Sequence, residues 1–142
     1  MQKVDFHDAV ELVLERDSRY AADAYHFLQK ALAETVKELQ GKELEGDRHV
    51  SGGELLEGFR CCALRNFGPM AMTVLEEWGV HRCEDVGEMV FNLISVGAFG
   101  KSERDRRADF ADGYDFEAAF VRPFLPKSRR RALSETARAD DR

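Results

Sequence analysis

The sequence predicts a small, mostly α-helical fold, a compact bundle of about five helices. Three observations support this prediction. Apolar residues recur at helical spacing from Phe6 to Val96, capping residues and glycines divide that stretch into segments, and 142 residues suit one domain. The chain is 44% apolar, which is enough to form a core, and 34% charged, which favours a soluble protein.

The sequence also indicates the cellular compartment of the protein. No apolar run approaches the ~20 residues that are needed to cross a bilayer. Residues 1–8 lack the basic-then-apolar order of a signal peptide. Three cysteines, two of them adjacent at Cys61 and Cys62, do not form the pattern of a disulfide framework. We therefore expect a cytoplasmic protein with reduced thiols and no membrane association.

Two amphipathic helices are predicted in the first third of the chain. The first covers residues 5–16 with Asp5 as its N-cap, and the second covers residues 20–39 and closes at Gly41. The polar segment 41–48 contains two glycines and is expected to be an exposed connection.

The strongest local signal is a helix start at Ser51. Ser51 and Glu54 have the spacing of a capping box, in which each side chain bonds the backbone N–H of the other residue. This helix is expected to run to Phe67. Gly68 and Pro69 then end it and open another helix, because proline is tolerated at a first helical position.

Two further helices follow this corner. The first is predicted to span about ten residues, to bury Trp78 and to end at Gly79, with Val80 folding back on Leu75. The second starts at Cys83 or Asp85 and ends at Gly97. Asp85, with Glu88 three residues later, is the preferred cap.

The pattern weakens after this point. Residues 98–121 are compatible with short helices or with a small hairpin, and a hairpin would complete a degenerate winged-helix layout. Pro123 and Pro126 predict an extended exit. We expect one helical domain over residues 1–126 and a disordered basic tail over residues 127–142, because the tail has almost no apolar content.

Charge is distributed unevenly between the two parts. The tail carries six cations and three anions, a net +3, which leaves 15 cations against 24 anions, a net −9, in residues 1–126. An acidic body repels phosphate backbones. The tail is therefore expected to lie loosely on its own domain or on a second copy, or to serve only as a solubilising extension.

Metal binding has two candidate sets of ligands. The cysteines with His49 and His81 lack the paired spacing of a zinc site, and adjacent cysteines on a helix point about 100° apart. Asp109, Asp112 and Asp115 recur every third residue, which does not match the alternating ligands of a calcium loop. These aspartates and His49 are the weak metal-ligating candidates, because aspartates at this spacing more often cap short helices and hold turns.

Catalytic signals are sparse. His49 beside Ser51 is the one close pairing of a base with a nucleophile, and the capping box already explains Ser51. No glycine-rich phosphate loop is present in the sequence. The sequence therefore favours a non-enzymatic protein with no cofactor.

Nucleic-acid binding is the alternative. In a winged-helix layout the segment beginning at Cys83 would be the recognition helix, yet residues 84–99 contain no lysine or arginine. Only the basic cluster at 101–107 or the tail could supply phosphate contacts. The charge pattern disfavours this alternative.

The chain also resembles a known family, through several short motifs: Ala24-Tyr25-x-Phe27, His49-Val50-Ser51-Gly52-x-Glu54-Leu55, Phe67-Gly68, Trp78-Gly79-Val80, Asp109-Phe110 and Tyr114-Asp115-Phe116-Glu117-x-Ala119-Phe120. This is a family of conserved hypothetical bacterial proteins, largely restricted to planctomycetes and verrucomicrobia, and the resemblance covers residues 3–125. The resemblance implies a bacterial, cytoplasmic, single-domain protein. It implies no activity and no catalytic residue.

Together these observations favour an interaction or structural module. The expected partner is an unidentified protein or a second copy of the chain. A nucleic-acid-associated regulatory domain is the alternative.

Overall fold

The computed structural model describes residues 5–42, 50–99, 110–111 and 113–126. These residues form five α-helices of seven or more residues and one shorter helix: α1 (Phe6–Arg16), α2 (Ala22–Lys42), α3 (Gly52–Phe67), α4 (Ala71–Glu77), α5 (Cys83–Ser95) and α6 (Phe116–Phe120). No strand occurs within the described ranges. The prediction of a mostly α-helical bundle of about five helices is confirmed.

An antiparallel pair formed by α2 and α3 is the most extensive helix contact. Near one end of the pair, Lys30 donates to Asn66 Oδ1 at 2.9 Å, and towards the other end Thr35 meets Gly58. Helix α1 packs on α2 and α5, while α4 and α6 pack on each other and on α3. All six helices contribute to one apolar core, which includes Val10, Leu28, Phe59, Leu75, Leu93 and Phe120.

The capping box at the start of α3 is confirmed. Ser51 Oγ accepts a hydrogen bond from the Glu54 backbone N–H at 3.1 Å, and Glu54 Oε1 accepts one from the Ser51 N–H at 3.0 Å. Helix α3 ends at Phe67 as predicted.

The corner after α3 differs in detail from the prediction. Pro69 lies within a 3-10 turn, Gly68–Met70, and α4 begins only at Ala71. Pro69 and Met70 belong to this turn and Trp78 follows the helix, so α4 has seven residues rather than about ten.

The predicted stop at Gly79 is confirmed. Gly79 has a φ of 86°, and the Val80 N–H donates to the Leu75 carbonyl at 2.9 Å, as in a Schellman motif. Val80 and Leu75 are both fully buried. A Cβ on Gly79 would also overlap the carbonyl oxygen of Arg19, so two independent constraints require glycine here.

Trp78 is half-buried rather than fully buried, which corrects the prediction. It follows the last residue of α4, at the edge of the bundle. Its ring centroid lies 5.5 Å from that of Phe27 and 5.6 Å from that of Phe67, so one side of the indole packs on the core.

Several helix boundaries also need correction. Helix α2 begins at Ala22 and continues through Gly41 to Lys42. Asp5 precedes α1, but its side chain makes no capping hydrogen bond. Helix α5 begins at Cys83, and Asp85 lies within its first turn rather than at its cap, because the Asp85 carboxylate is bonded elsewhere.

Only parts of the last third are described. Residues 113–126 contain α6 and a 3-10 turn, Arg122–Phe124, so Pro123 lies in a turn and not in an extended segment. Of the segment 98–121, for which short helices or a hairpin were expected, the described residues contain the short helix α6 and no strand, while residues 100–109 and 112 lie outside the described residues. The predicted tail, residues 127–142, also lies outside them.

The first prediction concerns the capping box. Ser51→Ala removes the acceptor for the Glu54 N–H and should lower the free energy of unfolding by about 0.5 to 2 kcal/mol, measured by urea denaturation. Ser51→Asp keeps an acceptor and should retain most of the stability. Equal losses in the two variants would show that the hydrogen bond is not the cause.

The second prediction compares two glycines with positive φ. Gly79 and Gly97 have φ values of 86° and 79°, and a Cβ on Gly97 would meet nothing within 4 Å. Gly97→Ala should therefore lower the free energy of unfolding only by the backbone strain, about 1 to 2 kcal/mol. Gly79→Ala should cost clearly more, because it adds the overlap with Arg19. Equal melting temperatures for the two variants would contradict this close approach.

Candidate functional site

The sequence-predicted metal candidates are not assembled within the described residues. His49, Asp109 and Asp112 lie outside them. Asp115 is described and exposed, and its carboxylate accepts from the Ala118 N–H at 3.1 Å, so it caps α6. No cluster of three or more metal-ligating side chains occurs in the part of the chain that the structure describes.

The three thiols occupy different environments. Cys61 is half-buried on the outer side of α3, while Cys62 and Cys83 are buried in the core. Burial raises the pKa of all three thiols, to about 12 for Cys62. At neutral pH they are protonated, so none is an activated nucleophile.

Cys83 has a structural role that sequence analysis missed. Its Sγ lies 3.3 Å from the carbonyl oxygen and 3.4 Å from the backbone nitrogen of Tyr114. The Tyr114 hydroxyl donates to the carbonyl oxygen of Leu56 at 2.8 Å. A Cβ on Gly113 would crowd both Cys83 and Leu56. The segment that precedes α6 is therefore held closely against α3 and α5.

A second polar network links helix α5 to the segment that connects α1 and α2. The Asp17 carboxylate accepts from the Arg19 guanidinium, with Nε 2.9 Å from Oδ1, and from Asn92 Nδ2 at 3.0 Å. Asn92 Nδ2 also lies 3.1 Å from the hydroxyl of Tyr25, which is fully buried. The Arg19 hydrogen bond holds the pKa of Asp17 well below its usual range.

Asp85 forms the other half of this network. Tyr20 donates its hydroxyl proton to Asp85 Oδ1 at 2.7 Å, and Asp85 Oδ2 accepts from the His81 backbone N–H at 2.9 Å. Burial, followed by the hydrogen bond to Asp85, raises the pKa of Tyr20 above its usual range. The Arg19 guanidinium lies 5.1 Å from the centroid of the Tyr20 ring.

This network is built to hold helices together rather than to perform acid–base chemistry. Burial raises the pKa values of Tyr20, Tyr25 and Tyr114, so all three phenols are protonated at neutral pH. Asp17 is ionised, and its oxygens are engaged by Arg19 and Asn92. A general base needs a carboxylate or imidazole that is free to accept a proton from substrate, whereas both carboxylates of the network already accept hydrogen bonds from internal donors.

An open groove lies between α2 and α3, and we call it the α2–α3 groove. Its volume is about 490 Å³, and it is lined by Glu34, Thr35, Lys37, Glu38, Gly58, Cys61 and Arg65. A Cβ on Gly58 would overlap the Thr35 hydroxyl oxygen, so the two backbones approach closely at the floor. Thr35 Oγ1 donates to the Ala31 carbonyl at 2.7 Å, which satisfies this buried hydroxyl within α2.

The walls of the α2–α3 groove carry charges of both signs. Arg65 lies 3.3 Å from a carboxylate oxygen of Glu34, and Arg60 forms an ion pair with Glu57 beside Cys61. The Arg60 hydrogen bond lowers the pKa of Glu57. Charges of both signs around a floor of Thr35 and Gly58 match the rim of a protein interface better than they match a phosphate site.

Comparison with known proteins adds no family or function: no protein-family profile, curated protein or solved structure matches this chain. The resemblance to the planctomycete and verrucomicrobial family stays a prediction. None of the described helices is long and apolar enough to span a membrane.

The third prediction concerns Asp17 and pH. The depressed pKa of Asp17 in the folded chain means that its ionised form stabilises the fold above the unfolded pKa of about 4, and that this stabilisation is lost as the pH falls further. Asp17→Asn should cost about 1 to 3 kcal/mol at pH 7, measured by urea denaturation. The difference in free energy of unfolding between Asp17→Asn and wild type should become smaller below about pH 4.

Glu77→Gln is the matched control for this experiment. Glu77 is exposed at the end of α4, so its variant should change stability by no more than about 0.5 kcal/mol. A difference between wild type and Asp17→Asn that stays constant at all pH values would show that the charge of Asp17 is not the cause.

Proposed function

We propose that this chain is a non-enzymatic interaction module that binds a protein segment in the α2–α3 groove. The observation that carries the proposal is the contrast between two kinds of polar residue. Those of the two internal networks are bonded to one another within the bundle, whereas Glu34 and Arg65 of the groove, although paired with each other, border an open space of about 490 Å³. The partner is another protein or a second copy of the chain.

The chemistry of the described residues supports binding over catalysis. The thiols and buried phenols are protonated at neutral pH, and the carboxylates of Asp17 and Asp85 are engaged by internal donors. A nucleophilic or acid–base mechanism requires an activated group beside a base. The part of the chain that the structure describes supplies no such pair at the groove.

The groove has the features of a small docking site for a side chain. Its floor is formed where Thr35 meets Gly58, and Cys61 adds a thiol to one wall. Lys37 and Arg65 can bond carbonyl or carboxylate oxygens of a partner, while Glu34 can accept from its N–H donors. These groups suit a peptide backbone, which offers donors and acceptors together.

The nucleic-acid alternative gains no support from α5. Its apolar side packs into the core, and the charged residues on its remaining surface are Glu84, Asp85 and Glu88. A helix of this kind repels the phosphates that flank a groove of DNA. The basic cluster at 101–107 lies outside the described residues. A bacterial and cytoplasmic setting stays part of the proposal.

The fourth prediction tests the groove with small organic probes. An amide-resolved NMR titration with a fragment library should shift resonances clustered on Thr35, Gly58 and Cys61, because these residues line the groove where its two helices approach closely. Cys61→Phe should abolish these shifts by filling the groove. Ala33→Phe, at an exposed position on α2, should leave them unchanged.

Sedimentation velocity on the same proteins separates the two kinds of partner. Self-association that Cys61→Phe removes and Ala33→Phe retains would identify a second copy as the partner. A monomer whose groove binds fragments would point to a different protein. The proposal fails if fragments avoid the groove and Cys61→Phe changes neither measurement. Retention of the full chain on heparin at low salt, lost when Lys101 and Arg104 are replaced by serine, would favour nucleic acid instead.

A further inference from the structure

Arg65 is the more accessible member of an ion pair that crosses the α2–α3 groove. Its Nη1 lies 3.3 Å from Glu34 Oε2, and this contact joins the two walls of the groove. The side chain of Arg65 is 62% exposed, whereas that of Glu34 is 38% exposed. A partner that enters the groove therefore reaches the guanidinium more readily than the carboxylate.

The Arg65 guanidinium has unused hydrogen-bond donors. A guanidinium carries several N–H donors, and within the described residues this side chain makes one hydrogen bond, the contact with Glu34. A single exposed contact of this kind adds little stability. A carboxylate that approaches in the plane of the guanidinium can accept two parallel N–H bonds, which is the stronger arrangement. Such a carboxylate can therefore displace Glu34 from Arg65.

Lys37 adds a second cation to the groove. It lies three residues after Glu34 on α2, so the two share one side of the helix. It is exposed and makes no ion pair or side-chain hydrogen bond in the part of the chain that the structure describes. The carboxylates of the groove are already engaged, since Glu34 pairs with Arg65 and Glu38 interacts with another residue. The groups of the groove that can take a new ligand are therefore cationic.

The overall charge of the chain limits the composition of the partner. Residues 1–126 carry a net −9, so a second copy, or a segment with many acidic residues, is repelled at long range. One carboxylate within a neutral or basic segment avoids this repulsion and still reaches Arg65.

We propose that the partner of the α2–α3 groove is a segment of a different protein that presents one aspartate or glutamate side chain to Arg65 and Lys37. The incoming carboxylate displaces Glu34 from Arg65, and the rest of the segment is neutral or basic. This inference rests on the function proposed above, because it names the chemistry of the segment that the groove binds. Glu34 then acts as an internal competitor, which holds Arg65 in the free protein.

The fifth prediction compares three capped alanine tripeptides, whose central residue is glutamate, glutamine or lysine, by NMR titration of the full chain. The amide resonances of Thr35, Gly58 and Cys61 report on the groove. The glutamate peptide should bind about tenfold more tightly than the glutamine peptide, because its hydrogen bonds to Arg65 are charge-assisted. The lysine peptide should bind most weakly, since Arg65 and Lys37 repel it.

Three exchanges to glutamine separate local recognition from overall charge. Arg65→Gln should remove the preference for the glutamate peptide. Glu34→Gln should strengthen the binding of that peptide by about two- to fivefold, the equivalent of one exposed ion pair, because the competitor for Arg65 is lost. Arg82→Gln removes an exposed arginine outside the groove lining and should leave all three affinities unchanged.

Several outcomes would overturn this inference. Equal affinities for the glutamate and glutamine peptides would overturn it while leaving the groove as a binding site, as would fragments that shift the groove resonances when no peptide does. A preference for lysine that Glu34→Gln removes would assign recognition to the carboxylate instead. Self-association that Cys61→Phe removes would make the partner a second copy. If neither peptides nor fragments shift the groove resonances, the proposed function fails as well.

Discussion

The attachment of the α1–α2 connection to the α4–α5 corner is the contact on which the arrangement of the bundle depends. Ala21 donates its N–H to the carbonyl of Trp78 at 3.0 Å, Tyr20 bonds Asp85, and Asp17 bonds Asn92. These bonds join the first two helices to the last two large helices, across 65 to 75 residues of sequence for the side-chain pairs. Buried polar groups are costly when unpaired, so each bond fixes the position of both helices that share it.

The sequence predicted the features whose signals are local. The capping box needs only Ser51 and Glu54, and the stop after α4 needs only Gly79 and its neighbours, so both could be found without any knowledge of the fold. Asp85 shows the opposite case. It was predicted to cap α5, whereas its carboxylate is engaged by the hydroxyl of Tyr20. Whether the Asp85 carboxylate caps its own helix or bonds Tyr20 is decided only by how the helices pack.

The same distinction explains the outcome for the candidate site. His49, Asp109 and Asp112 were chosen by residue type and spacing, and they lie outside the described residues, while Asp115 is a helix cap. The groove depends on the close approach of Thr35 to Gly58. This approach cannot be predicted from a single glycine within a helical pattern. An interaction surface has no spacing rule of the kind that identifies a metal or phosphate site, so sequence analysis could suggest such a surface but could not locate it.

The acidic residues of this molecule occur both in its internal networks and on its surface. The internal networks engage Asp17 and Asp85, and residues 1–126 carry a net −9. Such a body disfavours phosphate backbones and attracts basic segments. Residues 127–142 carry a net +3, opposite in sign to the rest of the chain.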